Sequence, residues 1–192
     1  TLVRLDPSLQ LPPSDLERQA KVALIDFKRS EADRFLANGQ LDEALIAIES
    51  GYKSELEVYT GENIPGSIIG INDGQEIITE ASNITKSITA IVYPIILEDR
   101  LEILVIPPKR DDEAEKEKAV FPDELGKPFV VTIRNVSASD INTVVTDFAI
   151  NLRDPSSDDY LRQSQQLYDW IMRPIHERLQ EEEIETIVFV MD

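Results

Sequence analysis

The sequence contains no cysteine and only one histidine and one tryptophan. The lack of cysteine excludes disulfides, thiolate metal sites and a cysteine nucleophile within these 192 residues. The single histidine, His176, lies between Ile175 and Glu177 on a predicted helix, which favours a surface position over a proton shuttle. No nucleophile–base pair can be assembled from the spacing of the remaining side chains. The sequence therefore predicts no catalytic residue, no cofactor-binding residue and no metal ligand.

Long apolar runs are also missing. No stretch approaches the length of a membrane span, and the first residues have no signal-peptide core. The formal net charge is −18. Nucleic acids and anionic membranes would both repel such a chain. We expect a cytoplasmic protein whose partners include neither nucleic acid nor membrane.

Two stretches have the composition of a ligand site but lack its pattern. The glycine-rich connector Gly61–Gly74 has no Gly-Lys-Ser/Thr leading into a helix, so it does not predict a phosphate-binding loop. The charged run between Pro107 and Pro122 lacks the glycine turn and the ligand alternation of a calcium loop. Its acidic residues are Asp111, Asp112, Glu113, Glu115 and Glu117. We expect a solvated loop there, with Lys109–Lys118 as the first region cut by trypsin.

The N-terminal third predicts a helical hairpin. Residues 1–13 are polar and rich in proline, which indicates a tether. A capping box over residues 14–17 opens a first helix that ends near Asn38-Gly39, and a second helix ends before Gly61, so the hairpin spans 14–61. The expected buried faces are Leu16, Ala20, Ala23, Leu24 and Phe27 in the first helix, and Leu41, Ala44, Leu45, Ile48, Tyr52 and Tyr59 in the second.

A small sheet follows a connector, residues 62–87, which contains a short helix. Thr89–Leu97 and Leu101–Pro107 are rich in β-branched residues and are separated by three residues, which predicts an antiparallel hairpin. Pro94 predicts that the first of these strands is an edge or bulged strand. A third strand is expected over 128–134, followed by a helix that begins at Ser137.

The last stretch, 160–192, predicts an amphipathic helical region and a final strand. Pro174 predicts two abutting helices or a kink. The expected apolar face comprises Leu161, Tyr168, Ile171, Met172, Ile175 and Leu179. Ile184–Met191 is apolar on both faces, as in a strand buried within a covered sheet, and we expect it beside Phe129–Arg134 in parallel. Either it is simply the last strand of this chain's own sheet, or more polypeptide belongs on its far side.

These elements together predict an α/β fold: an N-terminal helical hairpin followed by a small mixed sheet with covering helices. Several segments, in order, resemble the CHAT family of caspase- and separase-like proteins associated with tetratricopeptide repeats. The segment QQLYDWIMRPIHERLQEEEIETIVFVMD (165–192) is similar to the family's Leu-Tyr, hydrophobic-Pro-hydrophobic, spacer and strand-Asp pattern. AIVYPIILEDRLEILVIPP (90–108) and VTIRNVSASDINTVVTDFAINLRD (131–154) resemble its preceding strands and helix. ADRFLANGQLDEALIAIE (32–49) resembles part of one tetratricopeptide-type repeat.

The resemblance implies that 88–192 is the N-terminal half of a caspase-like domain. In the family, the strand matching Ile184–Met191 is followed by a Gly-x-Leu-Arg-x-x-Pro segment, and the catalytic histidine and cysteine lie further on. None of these is within the 192 residues, and His176 does not match the family's histidine. The implied parent is a cysteine endopeptidase acting on protein or peptide, with a C-terminal catalytic segment of the same precursor as this chain's partner. The chain alone is expected to be inactive. Two alternatives stay open: a stand-alone protein-interaction module, and an enzyme of another class that uses its carboxylates.

Overall fold

The computed structural model describes residues 15–109, 125–154 and 156–191, with side chains from residue 19 onward in the first helix. The tether at 1–13 and most of the charged run between Pro107 and Pro122 lie outside the described residues, as do Ser14 and the side chains of the predicted capping box at 14–17. The described part of the chain is α/β, with six helices and four strands. In chain order these are α1 Asp15–Ala37, α2 Leu41–Thr60, α3 Ile71–Thr85, β1 Thr89–Ile96, β2 Leu101–Ile106, β3 Phe129–Ile133, α4 Ala138–Asn151, α5 Tyr160–Ile171, α6 Arg173–Glu181 and β4 Thr186–Phe189. The chain divides into two compact units between Gly70 and Ile71.

The first unit is the predicted helical hairpin. Gly39 between the helices and Gly61 after α2 both have φ near +70° (70° and 72°), a conformation that glycine adopts without strain. The buried faces are Ile25, Ala32 and Leu36 in α1, and Ala44, Leu45, Ala47, Ile48 and Gly51 in α2.

The predicted buried face of α1 is wrong. Ala20, Ala23, Leu24 and Phe27 are exposed, and so is Tyr59 in α2. Helix α1 carries apolar side chains on more than one side, so periodicity alone does not select the packed side. The side that packs contains the small residue Ala32, which permits close approach of the two helices near their turn. Apolar side chains therefore remain on the outer surface of the hairpin.

The second unit is built on a four-stranded mixed sheet in the order β3-β2-β1-β4. Strands β1 and β2 form the predicted antiparallel hairpin, with Tyr93 opposite Leu104. Strand β3 continues antiparallel to β2, with Leu104 opposite Val130. The hairpin and the third strand were predicted correctly because short turns and β-branched runs are local signals.

The predicted neighbour of the final strand is wrong. Strand β4 pairs in parallel with β1, not with β3, and Ile91 lies opposite Val188. Because β3 is antiparallel to β2 and β2 is antiparallel to β1, β3 and β4 still run in the same direction. The predicted parallel sense is therefore correct, but the crossover spans two strands. Three helices, α4 to α6, make this connection, which gives the chain enough length to cross the sheet.

Pro94 does not make β1 an edge or bulged strand, because β1 lies between β2 and β4 with unbroken register. Strand β4 ends at Phe189, opposite Val92, before it reaches Pro94. The alternation of the ladder directs the nitrogen of Pro94 toward the β4 side, beyond the last residue of β1 that is paired with β4. The proline is tolerated because it lies past the end of that ladder.

Helices cover both faces of the sheet. On one face α3 lies over β1 and β2, where Gly74 approaches the side chains of Ile91 and Ile106. On the other face α4 to α6 bury a core that includes Val92, Ile103, Ile175 and Leu179.

Helices α5 and α6 are two abutting helices, as Pro174 predicted, with the proline in the first turn of α6. Part of the predicted apolar face lies outside the core, since Leu161 and Tyr168 are exposed.

Candidate interaction site at the free edge of β4

Strand β4 is an edge strand whose outer side meets no other strand among the described residues. The backbone N–H groups of Thr186 and Val190 donate to the carbonyl oxygens of Ile88 and Val92, at 3.1 and 3.0 Å. Because N–H groups alternate in direction along a strand, those of Ile187 and Phe189 point away from β1. The outer edge therefore presents backbone donors and acceptors to an incoming strand.

Apart from Thr186, the side chains of β4 and of Val190 and Met191 are apolar, and several of them are about half exposed. Val188, Phe189 and Met191 retain 46%, 41% and 63% of their accessible surface. The expectation that Ile184–Met191 is buried on both faces is therefore wrong within this chain. Strands of this composition are usually covered on both faces. Among the described residues the sheet ends at β4, so this strand has a neighbouring strand on one side only.

A helix-ending motif directs the chain into β4. The N–H of Glu183 donates to the carbonyl of Gln180, and that of Ile184 donates to the carbonyl of Leu179 at 2.9 Å. This is a Schellman motif, and its left-handed residue is Glu183, with φ of 55°. A residue other than glycine in this conformation is strained by roughly 1–2 kcal/mol. The turn sharply reorients the chain between α6 and the edge strand.

A buried carboxylate secures the same turn. Glu182 is 1% exposed, and its two carboxylate oxygens accept from the backbone N–H of Gly126 at 3.0 and 2.9 Å. Arg178, one helical turn earlier, forms an ion pair with Glu182 at 3.3 Å. The guanidinium of Arg178 also lies 5.6 Å from the ring centre of Phe129 on β3. Glu182 thus joins the start of β4 to the turn before β3.

Gln75 on α3 binds the turn before β3 from the other side. Its buried amide nitrogen donates to the carbonyl of Gly126 at 2.9 Å and to the carbonyl of Pro107 at 3.1 Å. Gly126 is therefore bound through its N–H by Glu182 and through its carbonyl by Gln75. Gly126 has φ of 76°, a conformation that suits glycine. This polar network couples α3, α6 and the ends of β2 and β3.

The ionisable groups with shifted pKa values on α4 to α6 serve structural roles. Hydrogen bonds from Arg173 and, to a smaller extent, from Gln165 lower the pKa of Asp169. The hydrogen bond to Asp169 in turn raises the pKa of Arg173. The hydroxyl and backbone N–H of Ser137 lower the pKa of Asp140 in the capping box that begins α4. These side chains are at the surface and hold helix geometry.

His176 is exposed on α6, as predicted. Trp170 on α5 packs against the core between the sheet and the helices. Among the described residues no group of three or more His, Cys, Asp or Glu side chains could hold a metal ion. No helix in the described ranges is long and apolar enough to cross a bilayer.

The sequence did not predict the network around Glu182. Glu182 is the middle one of three consecutive glutamates, Glu181–Glu183, and nothing in the sequence distinguishes it from its two neighbours. Only the fold brings Gly126, Gln75 and Glu182 together.

No protein-family model, no curated protein and no solved structure matches the chain.

Proposed function

We propose that this chain is the N-terminal, non-catalytic portion of a CHAT-like, caspase-like cysteine peptidase. It completes its sheet with a strand from the C-terminal segment of the same precursor, which carries the histidine and cysteine. The observation that carries the proposal is the free edge of β4. It combines outward backbone groups at Ile187 and Phe189 with half-exposed apolar side chains at Val188 and Met191.

The energetics favour an occupied edge. Fully burying a large apolar side chain contributes roughly 1.5–3 kcal/mol. An exposed apolar edge strand is also a site of unwanted self-association. A partner strand would cover both the backbone groups and the side chains. Since the 192 residues contain no cysteine, any thiol nucleophile has to come from that partner.

Activity reconstitution tests the proposal. The chain alone should hydrolyse no peptide, and mixing it with the C-terminal segment should produce a thiol-dependent endopeptidase. Replacing the partner's cysteine with alanine should abolish that activity. Peptidase activity of the pure chain alone would contradict the proposal, as would a mixture that neither associates nor cleaves.

A matched pair of variants localises the contact. Val188→Asp should leave the isolated chain folded, because Val188 is half exposed, but should weaken assembly by burying an unpaired charge at the interface. Val145→Asp, at an equally exposed position on α4, is the control and should assemble normally. Equal assembly of both variants would place the contact elsewhere.

A second candidate is a stand-alone protein-interaction module. It is favoured by the apolar side chains that the helical hairpin exposes, including Leu24, Phe27 and Tyr59. Such a module would bind a protein partner through the hairpin with no C-terminal segment. An intact-mass measurement of the native gene product separates the two candidates. A lone chain of 192 residues supports the module, whereas a longer product or a co-purified C-terminal chain supports the peptidase.

A further inference from the structure

The outer flank of α3 carries two exposed isoleucines on the side nearest β4. On the opposite flank, Thr79 accepts a hydrogen bond from the N–H of Lys109, which follows β2, and Gln75 reaches Gly126, which precedes β3. That flank therefore faces the β2–β3 side of the sheet. Ile77 is two residues from Thr79, which corresponds to roughly 200° of helical rotation. Ile84 lies about two helical turns after Ile77 and therefore points in nearly the same direction. Both isoleucines consequently face the β4 side.

This flank and the edge strand present exposed apolar side chains on the same face of the sheet. Val188 is opposite Ile91 in the ladder, and Ile91 contacts the α3 face at Gly74, so Val188 projects on the same face of the sheet as α3. Ile77, Ile84 and Val188 are 54%, 74% and 46% exposed. We define these three side chains as the α3–β4 notch.

Acidic side chains alternate with the isoleucines of the notch. Asp73 and Glu80 lie four residues before Ile77 and Ile84, so the four side chains share one side of α3 in the order acid, Ile, acid, Ile. Lys86 is a nearby cation just beyond the end of the helix. With a net charge of −18, the chain would repel a second copy, and an isologous contact would place acid against acid. The charge pattern complements a cationic partner.

We infer that the α3–β4 notch binds a basic amphipathic helix of another polypeptide. Its apolar side chains would pack on Ile77, Ile84 and Val188, and its Lys or Arg side chains would face Asp73 and Glu80. Helix-in-groove contacts of this kind use anchors at spacings of three and four residues. The inference does not depend on the proposed peptidase, because Ile77 and Ile84 lie on α3 and only Val188 also belongs to the edge strand.

Binding of designed peptides to the full chain tests the inference. Three labelled peptides of about 18 residues would be compared by fluorescence anisotropy at about 0.15 M salt. The first has an apolar stripe and lysine flanks, the second has the same stripe with glutamate flanks, and the third has lysines without the stripe. We expect the first to bind at least about tenfold more tightly than either of the others.

Variants distinguish the notch from general attraction to an acidic surface. The double variant Ile77→Ser, Ile84→Ser should weaken binding of the first peptide by about tenfold or more. Ile150→Ser, at a similarly exposed isoleucine on α4 (58%), should change it by less than about twofold. Phe189→Pro, which removes an outward N–H from β4, should not change it. The inference is overturned by absence of saturable binding, by equal binding of the third peptide, or by a double variant that binds as tightly as the wild type.

Discussion

Removing the Glu182 carboxylate should destabilise the unit that contains the sheet far more than removing its neighbours. Glu182→Ala deletes the acceptor of the Gly126 N–H and the buried partner of Arg178. Leaving a buried N–H unsatisfied costs about 1–3 kcal/mol, and the partly buried N–H of Gly126 should lie toward the lower end of that range. Arg178 keeps a longer contact of 3.6 Å with Glu181, so only part of the cost of breaking a buried ion pair applies. We expect a loss of about 2–4 kcal/mol.

Glu182→Gln separates the hydrogen bond from the charge. A glutamine oxygen can still accept from the Gly126 N–H, so this variant should lose only about 1–2 kcal/mol. Glu181→Ala is the matched control on the same helix. Its side chain is half exposed and should change the free energy of unfolding by less than about 0.5 kcal/mol. Urea unfolding with unchanged m-values provides the comparison. If Glu182→Ala and Glu181→Ala unfold at the same urea concentration, the carboxylate does not hold the turn.

Three smaller changes test the turn into β4, the cap of α4 and the strand directions at the edge. Glu183→Gly should raise the free energy of unfolding by about 0.5–1 kcal/mol, because glycine adopts the left-handed conformation without strain. The control Gln180→Gly, within α6, should lower the free energy of unfolding by a similar amount. A lower stability of Glu183→Gly would contradict the strain argument. The lowered pKa of Asp140 means that its ionised form stabilises the native state above the ordinary aspartate pKa of about 3.9, and that this contribution is lost as the pH falls through the lowered value. The stability difference between wild type and Asp140→Asn in urea unfolding should therefore be larger at neutral pH than at about pH 3, and a constant difference would count against the capping role. Phe189→Pro should have the same stability as Phe189→Ala within about 0.5 kcal/mol, because the N–H of Phe189 points away from β1. Val190→Pro should be at least about 1 kcal/mol less stable than Val190→Ala, because the N–H of Val190 donates to Val92. Similar losses in both pairs would show that the assigned strand directions are wrong.

Local signals in the sequence predicted most elements of the fold. The β1–β2 hairpin, the Ser137 cap of α4 and the helix break at Pro174 each depend on residues that are close in the chain. Pairing between distant strands did not follow from such signals. A crossover length is compatible with either neighbour, and nothing local distinguishes the open edge of β3 from that of β1.

The candidate site could be predicted only in part. The apolar composition of Ile184–Met191 indicated an element that needs cover, and the structure shows Val188 and Met191 half exposed. The notch on α3 was not foreseen, because Ile77 and Ile84 are ordinary members of an amphipathic helix until the position of β4 is known. The network around Glu182 depends on three distant segments and has no periodic signature.

Amide hydrogen exchange at β4 tests the central claim most directly, since it reports the outer edge residue by residue. In the isolated chain, the amides of Ile187 and Phe189 should exchange quickly, while that of Val190, which donates to Val92, should be protected. On addition of the C-terminal segment, the two outward amides should become protected along with the gain of thiol-dependent peptidase activity. Unchanged exchange at Ile187 and Phe189 in an assembled, active complex would contradict strand addition at this edge.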